Sequence, residues 1–312
     1  MSGTTISLRG FLEGAAAFAA MPPLAASAEN HAPGSARRGE ESRCELIGRR
    51  DGAAELVKPE DYTAYLRDGK TRGFEALKSL ELAFEKVMRE AREAVVTGDA
   101  PAVWGVYNMG YVVKTRRSLF AIDLKHRRGK EFAPLLDFAL VTHNHDDHLQ
   151  RDFYEAMDSA GKTVVSNFLE NKGASECGYT PGERTLKIKD VEIRTFRVDH
   201  SRAAWGIDFT TAFEMSMGGY SIFHSGDCCS AEKFRLTRRE HDLWMFHPRC
   251  GMKPVDGAKA VNPKLSVVAH LSELGHAKNR WRWSWADGED ARRGLVNAGY
   301  KAVVPFWGDR IV

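Results

Sequence analysis

The chain has 312 residues, of which 43% are apolar and 28% charged, so it can bury a substantial core without cross-links. Its formal net charge of +3 comes without a dense stripe of lysine and arginine, which argues against a nucleic-acid-binding protein. The five cysteines form no CxxC pair, and this excludes the common structural-zinc and thioredoxin-like motifs.

The first 28 residues have the features of an export signal. Arg9 precedes an apolar, alanine-rich run, and Ala26-Ser27-Ala28 supplies the small residues of a cleavage site. We therefore expect residues 1–28 to be a signal peptide and the protein to be periplasmic or extracellular; without cleavage it would be cytoplasmic. The apolar run is short and contains two prolines, so no stable membrane insertion is expected.

Residues 29–101 are predicted to form a linker and a helical extension. The polar segment 29–51 is rich in Gly, Arg, Glu and Ser, which indicates a linker or a loosely held arm. From Pro59 the sequence becomes helical, and apolar residues at near-3.6 spacing predict an amphipathic helix over Phe74–Val96.

Residues 102–312 are predicted to form a mixed α/β domain in which strands dominate. Its predicted helices are 151–160 and a shorter one through 291–294. Single strands or strand pairs are predicted at 103–113, 118–124, 138–142, 163–166, 185–198, 211–223, 265–269 and 302–306.

Three histidines and an aspartate fall within six residues directly after the strand at 138–142: His143, His145, Asp147 and His148. Such crowded imidazoles would repel each other when protonated and lack partners when buried, whereas a divalent metal binds their neutral nitrogens. On a tight turn, His143 and His145 can face one ion while Asp147 and His148 face a second. The cluster therefore predicts a metal site.

The spacing of these four residues resembles the HxHxDH signature of the metallo-β-lactamase superfamily. The resemblance extends from about Ala102 to the C terminus and leaves the helical extension outside it. It implies a four-layer αββα sandwich with the metal site at one edge. It also implies that Asp123, in the strand at 118–124, is the aspartate that supports the metal loop.

The same resemblance implies three further ligands in chain order: His200 for the first ion, Asp227 in His-Ser-Gly-Asp as the bridge, and His270 for the second ion. His276 competes with His270 for the last position. We favour His270 because it ends a strand, as the other ligands do. His276 is then a candidate proton donor, and Asp147 would both bind a metal and orient the nucleophile.

These expectations describe a binuclear hydrolase that uses a metal-bridging hydroxide. The histidine-rich ligand set favours two zinc ions, with manganese or iron as alternatives. The stretch 142–149 and His-Ser-Gly-Asp look nearest to ascorbate-phosphate lactonases and N-acyl-phosphatidylethanolamine-hydrolysing phospholipase D. That resemblance implies a small-molecule substrate with a phosphodiester or lactone bond.

Other members of the superfamily fit less well. Flavin-linked oxygen reducers carry Glu where this chain has His145, and true β-lactamases lack the bridging aspartate. An anionic substrate would be suited by three basic residues if they lie at the mouth of the site: Arg249, Lys253 and Arg280. Otherwise they are solvated surface charges. The remaining alternative is a mononuclear iron redox enzyme or a non-catalytic ligand-binding protein of the same fold.

Overall fold

The computed structural model describes residues 33–166, 168, 184–237, 240–278 and 280–312, so the predicted signal peptide lies outside the described residues. None of the helices in the described ranges is long and apolar enough to span a membrane. These helices are α1 Pro33–Glu55, α2 Pro59–Asp68, α3 Glu75–Glu93, α4 Arg151–Ser159, α5 Pro254–Val261 and α6 Trp285–Asn297.

The strands form two sheets. The first has the order β1-β2-β3-β4-β5, with β1 Ala102–Tyr107, β2 Gly110–Lys114, β3 Leu119–Ile122, β4 Phe138–Leu140 and β5 Thr163–Val165. The second has the order β12-β11-β10-β9-β8-β7-β6. Its strands are β6 Arg184–Ile188, β7 Val191–Val198, β8 Thr210–Met217, β9 Tyr220–His224, β10 Leu243–Phe246, β11 Leu265–Val268 and β12 Ala302–Val303.

The two sheets pack face to face, and helices cover their outer faces. The core between the sheets takes Phe120 and Leu140 from the first sheet and Ile193 and Met245 from the second. Alternating burial along β7 is the pattern of a strand with one face in this core. Helix α3 packs on β1 and β2, and α6 packs on β11 and β12. The predicted αββα sandwich with N-terminal helices is confirmed.

The prediction of a linker over 29–51 is wrong from Pro33 onward, because this segment forms most of α1. Among the side chains of α1 that the structure describes, from Ser42 onward, Ile47 and Ala54 are buried and most others are exposed or half-buried. A long-range contact helps to hold it: the Arg43 guanidinium donates to the Glu289 carboxylate at 2.6 Å and to the Val304 carbonyl at 2.7 Å. Composition alone does not reveal such partners.

The structure differs from the sequence analysis in two further respects. The strand predicted at 103–113 is a hairpin of β1 and β2, and Asn108 takes a left-handed backbone conformation (φ 53°) at its turn. Strand β10 and helix α5 were not predicted, since both are short and a four-residue apolar run is ambiguous without its neighbours.

The helical extension is tied closely to the sheets. The Trp104 indole donates to the Glu90 carboxylate at 2.9 Å, and the Lys114 ammonium donates to the Ala91 carbonyl at 2.7 Å. Buried Arg282 donates to the carbonyls of Ala54 and Val57, at 2.8 Å and 2.7 Å. The division at residue 101 therefore stays a prediction.

His126 links the extension to the first sheet. Its ring stacks on Phe84 of α3 with centroids 4.0 Å apart. Its Nδ1 accepts a hydrogen bond from the Arg128 amide, and its Nε2 lies 3.2 Å from the Tyr65 hydroxyl. Burial, together with the charges of neighbouring arginines, lowers the pKa of His126 to about 3.

His126 should therefore make the fold acid-sensitive. Below the unfolded-state pKa of 6.5 the unfolded chain binds a proton that native His126 does not, so stability is lost as pH falls from there towards about 3. We expect His126→Asn to reduce the loss of unfolding free energy between pH 7 and pH 5 by about 2 kcal/mol. Urea unfolding at the two pH values measures this loss. Tyr65→Phe, which removes the partner but not the imidazole, should keep the wild-type loss; an unchanged loss in His126→Asn would contradict the assignment.

Candidate metal centre

The predicted ligands meet because they all follow the carboxyl ends of strands that run in the same direction within their sheets. Strands β3 and β4 are parallel, and so are β9, β10 and β11. Loops at such ends converge on one edge of the sandwich. The cluster 143–148 follows β4, His200 follows β7, Asp227 follows β9 and His270 follows β11.

Asp123 fixes the loop after β4. Its carboxylate accepts hydrogen bonds from the Thr142 amide at 2.8 Å and the Thr142 hydroxyl at 2.7 Å. It also lies 2.8 Å from His148 Nδ1. Asp123 has a left-handed backbone (φ 43°), which turns its side chain back under the loop. This is the supporting role that the resemblance implied.

The first group of potential ligands is His143, His145 and His200, whose ring nitrogens lie within 4.8 Å of one another. Because the Thr142 hydroxyl donates to Asp123, it accepts from His143 Nδ1 at 2.9 Å. The lone pair of His143 is then on Nε2, which lies 3.1 Å from His145 Nδ1. Within the described ranges, neither ring nitrogen of His200 has a hydrogen-bond partner. These convergent nitrogens fit a divalent cation.

The second group is Asp147, His148 and His270, which are all buried. His148 Nδ1–H donates to Asp123, which leaves Nε2 as the atom that can bind a metal; among the described residues this Nε2 has no hydrogen-bond partner. His270 Nε2 lies 2.9 Å from Asp147 Oδ2. The left-handed backbone of His270 (φ 57°) turns its ring into the site.

Asp227 lies between the two groups. Its Oδ1 is 3.5 Å from His148 Nε2, and its Oδ2 is 3.5 Å from both His200 Nε2 and His270 Nε2. The preceding Gly226 is left-handed (φ 54°), and a Cβ there would lie 2.6 Å from the Thr210 side chain. Glycine is thus required for the turn that presents Asp227.

The charges of the site favour a bound cation. Burial lowers the pKa of His143 well below its usual value, and the nearby His148 adds to the effect, so His143 is neutral. Burial opposes ionisation of Asp147 and Asp227, yet neighbouring histidines hold the pKa of both carboxyls well below the usual range. Against the effect of burial, the same carboxylates raise the pKa of His148 well above its usual value and also raise that of His270. Without a cation these two rings therefore take up protons, which a divalent metal would displace from the ligand nitrogens.

His276 lies outside both ligand groups. Its Nδ1 is 2.9 Å from the Glu273 carboxylate, and about a third of its side chain is exposed. The hydrogen bond to Glu273 raises the pKa of His276 against the opposing effect of burial, and Asp147 and Asp227 add smaller contributions. The structure thus brings His270, rather than His276, to the other predicted ligands.

Sequence reasoning missed two residues of the site. A ring nitrogen of His247 lies within 4.8 Å of ligand atoms of Asp227 and His270, and Cys250 Sγ lies within the same distance of His200 and Asp227. Both follow β10, and recognising that strand is the signal that would have placed them at this edge. The Cys250 thiol donates to the His200 carbonyl at 3.4 Å.

The surroundings of the site are partly aromatic. Trp285 is buried in the core, whereas Trp281 is 63% exposed and lies beside His276. Trp205 is 60% exposed and packs beside the His200 ring. Among the basic residues predicted near the mouth, Lys253 and Arg280 are exposed, while the Arg249 guanidinium donates to Asp287 at 3.0 Å and lies over the Trp283 ring.

Comparison with known proteins agrees with this geometry. Residues 118–271 match the family described as "Beta-lactamase superfamily domain". These residues therefore carry the similarity to the superfamily that the sequence pattern implied. The matched segment includes the cluster after β4, His200, Asp227 and His270, but not β1, β2, α6 or β12.

Similar proteins extend this finding. A UPF0173 metal-dependent hydrolase from Methanosarcina mazei is 31% identical over 144 residues, which are 43% of this chain and 60% of that protein. The chain thus spans less than two thirds of this relative. The structure of the metallo hydrolase Igni18 from Ignicoccus hospitalis matches 68% of this chain and 97% of its own, with a TM-score of 0.52 and 19% identity. CmlA, a diiron β-hydroxylase from Streptomyces venezuelae, matches 68% of this chain and 54% of its own, with a TM-score of 0.51 and 13% identity.

The contacts of Asp123 predict its effect on metal binding. Asp123→Asn replaces one carboxylate oxygen with an amide NH2 group, which donates hydrogen bonds and does not accept them. The side chain then cannot accept from both Thr142 and His148. We expect metal affinity to fall about 10- to 100-fold, as is typical when a residue that orients a ligand is lost. Titration with zinc in the presence of a competing chelator measures the affinity. Asp190→Asn, which alters a carboxylate bound by Thr115 and Ser118 instead, should bind zinc as the wild type does; equal affinity in Asp123→Asn would contradict this role.

Proposed function

We propose that the protein is a binuclear metal-dependent hydrolase. The observation that carries the proposal is the position of Asp227, a single buried carboxylate within 3.5 Å of nitrogens from both ligand groups. A carboxylate so placed can bridge two ions. His143, His145 and His200 would hold the first ion, and Asp147, His148 and His270 the second.

When bound, the two ions supply an activated water as nucleophile and polarise the oxygen under attack. The residues of the chain position the reactants. Asp147 Oδ2 accepts from the Asn108 side-chain amide at 3.2 Å, which keeps this carboxylate aimed at the site. His276, held by Glu273 and partly exposed, is the proposed proton donor to the leaving group.

Zinc is the proposed metal, because most of the ligands are imidazoles. Manganese and iron bind similar ligand sets, and the likeness to CmlA extends only to the fold. For this reason the metal analysis below also tests the alternative of a mononuclear iron protein.

The proposed substrate is a small molecule with a phosphodiester or lactone bond. Support comes from the resemblance of the stretch 142–149 and His-Ser-Gly-Asp to the lactonase and phospholipase D branch. The Methanosarcina mazei relative, a metal-dependent hydrolase, supports hydrolysis in general. Exposed Lys253 and Arg280 suit an anionic group if they lie near the bound substrate. Export through residues 1–28 remains part of the same proposal.

The bridge predicts the metal content. Purified wild-type protein should hold two zinc or manganese ions per chain, and Asp227→Ala should hold one. The activity of Asp227→Ala in a screen of phosphodiesters, lactones and esters should fall by at least about 100-fold. Loss of a residue that only orients a metal ligand already costs up to about that much, and Asp227 is itself a proposed ligand. Inductively coupled plasma mass spectrometry counts the ions.

Asp242→Asn is the matched control, because Asp242 binds Ser221 and Lys264 away from the predicted ligands. It should retain both ions and full activity. Two ions and full activity in Asp227→Ala would show that Asp227 is not the bridge. A single iron in the wild type, without hydrolysis, would overturn the proposed function.

The proton donor predicts a pH dependence. A general acid must be protonated, so activity falls as pH rises through the pKa of His276, which Glu273 raises. Glu273→Gln removes that effect, and the alkaline limb of the kcat profile should move to lower pH. Glu289→Gln, a change at a buried carboxylate paired with Arg43, should leave the profile unchanged. An unmoved limb in Glu273→Gln, with metal content intact, would contradict the role of His276.

A further inference from the structure

His247 is a buried histidine of the centre that no ligand assignment uses. It directly follows β10, and its ring stacks on the His270 ring with centroids 3.9 Å apart and an interplanar angle of 14°. One of its ring nitrogens lies within 4.8 Å of ligand atoms of Asp227 and His270. Proximity alone would make His247 a third candidate ligand of the second group.

The hydrogen bond at Nδ1 argues against that role. The Arg249 amide donates to His247 Nδ1 at 3.0 Å, so the lone pair of Nδ1 is already engaged. A neutral imidazole that accepts at Nδ1 carries its hydrogen on Nε2 and has no lone pair left for a metal. Rotating the ring by 180° would replace this hydrogen bond with a contact between the amide and a carbon. His247 is therefore held as a donor.

Two other histidines of the chain show what such a donor needs. His126 and His224 also accept at Nδ1 from the amide two residues on, at 3.2 Å each. Their Nε2 atoms then find partners in the protein: the Tyr65 hydroxyl at 3.2 Å for His126 and the Met109 carbonyl at 3.1 Å for His224. His247 has the same geometry at Nδ1, but within the described part of the chain no residue accepts from its Nε2.

Two of the predicted ligands, His143 and His148, show the opposite arrangement. His148 Nδ1 faces the Asp123 carboxylate, and His143 Nδ1 faces the Thr142 hydroxyl, so each donates at Nδ1 and keeps a lone pair on Nε2. In His143 and His148 the acceptor at Nδ1 thus leaves a lone pair on Nε2 for a metal. In His247 the backbone amide at Nδ1 instead leaves a hydrogen on Nε2, which makes the ring a hydrogen-bond donor.

We propose that His247 is a catalytic residue that donates a hydrogen bond from Nε2 to an oxygen of the bound substrate, beside Asp227 and His270. The ligand class is a phosphoryl or carboxyl-derived group whose oxygen gains negative charge during the reaction. A neutral donor suits this place, because it stabilises such an oxygen without repelling the nearby cations. The inference rests on the proposed function for its substrate class.

Inorganic phosphate is the probe that tests this donor without relying on turnover. In zinc-loaded His247→Ala we expect two ions per chain, phosphate affinity lowered about 10-fold, and kcat lowered about 100-fold. His247→Gln places an amide N–H near the former Nε2 and should recover part of both losses. His126→Gln is the matched control, since its Nε2 partner lies in the protein; it should keep wild-type phosphate affinity. Calorimetry measures binding, and metal analysis counts the ions.

The tautomer can also be observed directly. The test is a long-range ¹H–¹⁵N spectrum of zinc-loaded wild-type protein with labelled histidine. The signals of His247 are identified because they disappear in His247→Gln, and in the wild type they should show that the ring hydrogen is on Nε2. This measurement keeps the proposal testable if His247→Ala does not fold.

Several results would overturn the proposal. Loss of one ion in His247→Ala or His247→Gln would make His247 a ligand, as would a metal-bound Nε2 in the spectrum. Wild-type phosphate affinity and kcat in a fully metal-loaded His247→Ala would exclude the donor. A wild-type protein that hydrolyses nothing in the screen would contradict the proposed function instead, since the phosphate affinities and the tautomer would still decide the role of His247.

Discussion

The buried carboxylate of Asp123 is the constraint on which the metal centre depends. Through three contacts it fixes the backbone and hydroxyl of Thr142 and the ring of His148. Because the Thr142 hydroxyl then accepts from His143, one aspartate sets the orientation and tautomer of two predicted ligands on the same loop. The left-handed backbone of Asp123 is the local strain that makes this contact possible.

The chemistry of each histidine follows from its hydrogen bonds rather than from its distance to the centre. His247 and His270 stack on each other, yet of the two only His247 has an amide at Nδ1, while His270 Nδ1 has no hydrogen-bond partner in the part of the chain that the structure describes. Proximity would group both as ligands, whereas the hydrogen-bond pattern separates a donor from a ligand. One edge of the sandwich can thus gather six histidines without giving all of them to metal.

The local part of the site could be predicted from sequence, because the ligands at 143–148 lie within one loop. His200, Asp227 and His270 could be placed only through the resemblance, since their positions depend on how β7, β9 and β11 meet. His247 and Cys250 were missed because β10, which carries them to the edge, is four apolar residues long. The helix α1 was missed for a related reason: partners more than two hundred residues away help to hold it.

The helical extension also shapes the centre, although it lies outside the family match. Arg282 donates to the Ala54 and Val57 carbonyls and, at 2.6 Å, to the carbonyl of Leu274. Leu274 follows Glu273, which holds His276 and accepts from the buried Tyr107 hydroxyl at 2.9 Å. One buried guanidinium therefore joins the C-terminal end of α1 and the residues just after it to the loop that carries the proposed proton donor. The position of the proposed proton donor therefore depends on packing between the extension and the sandwich, and not on the loops of the sandwich alone.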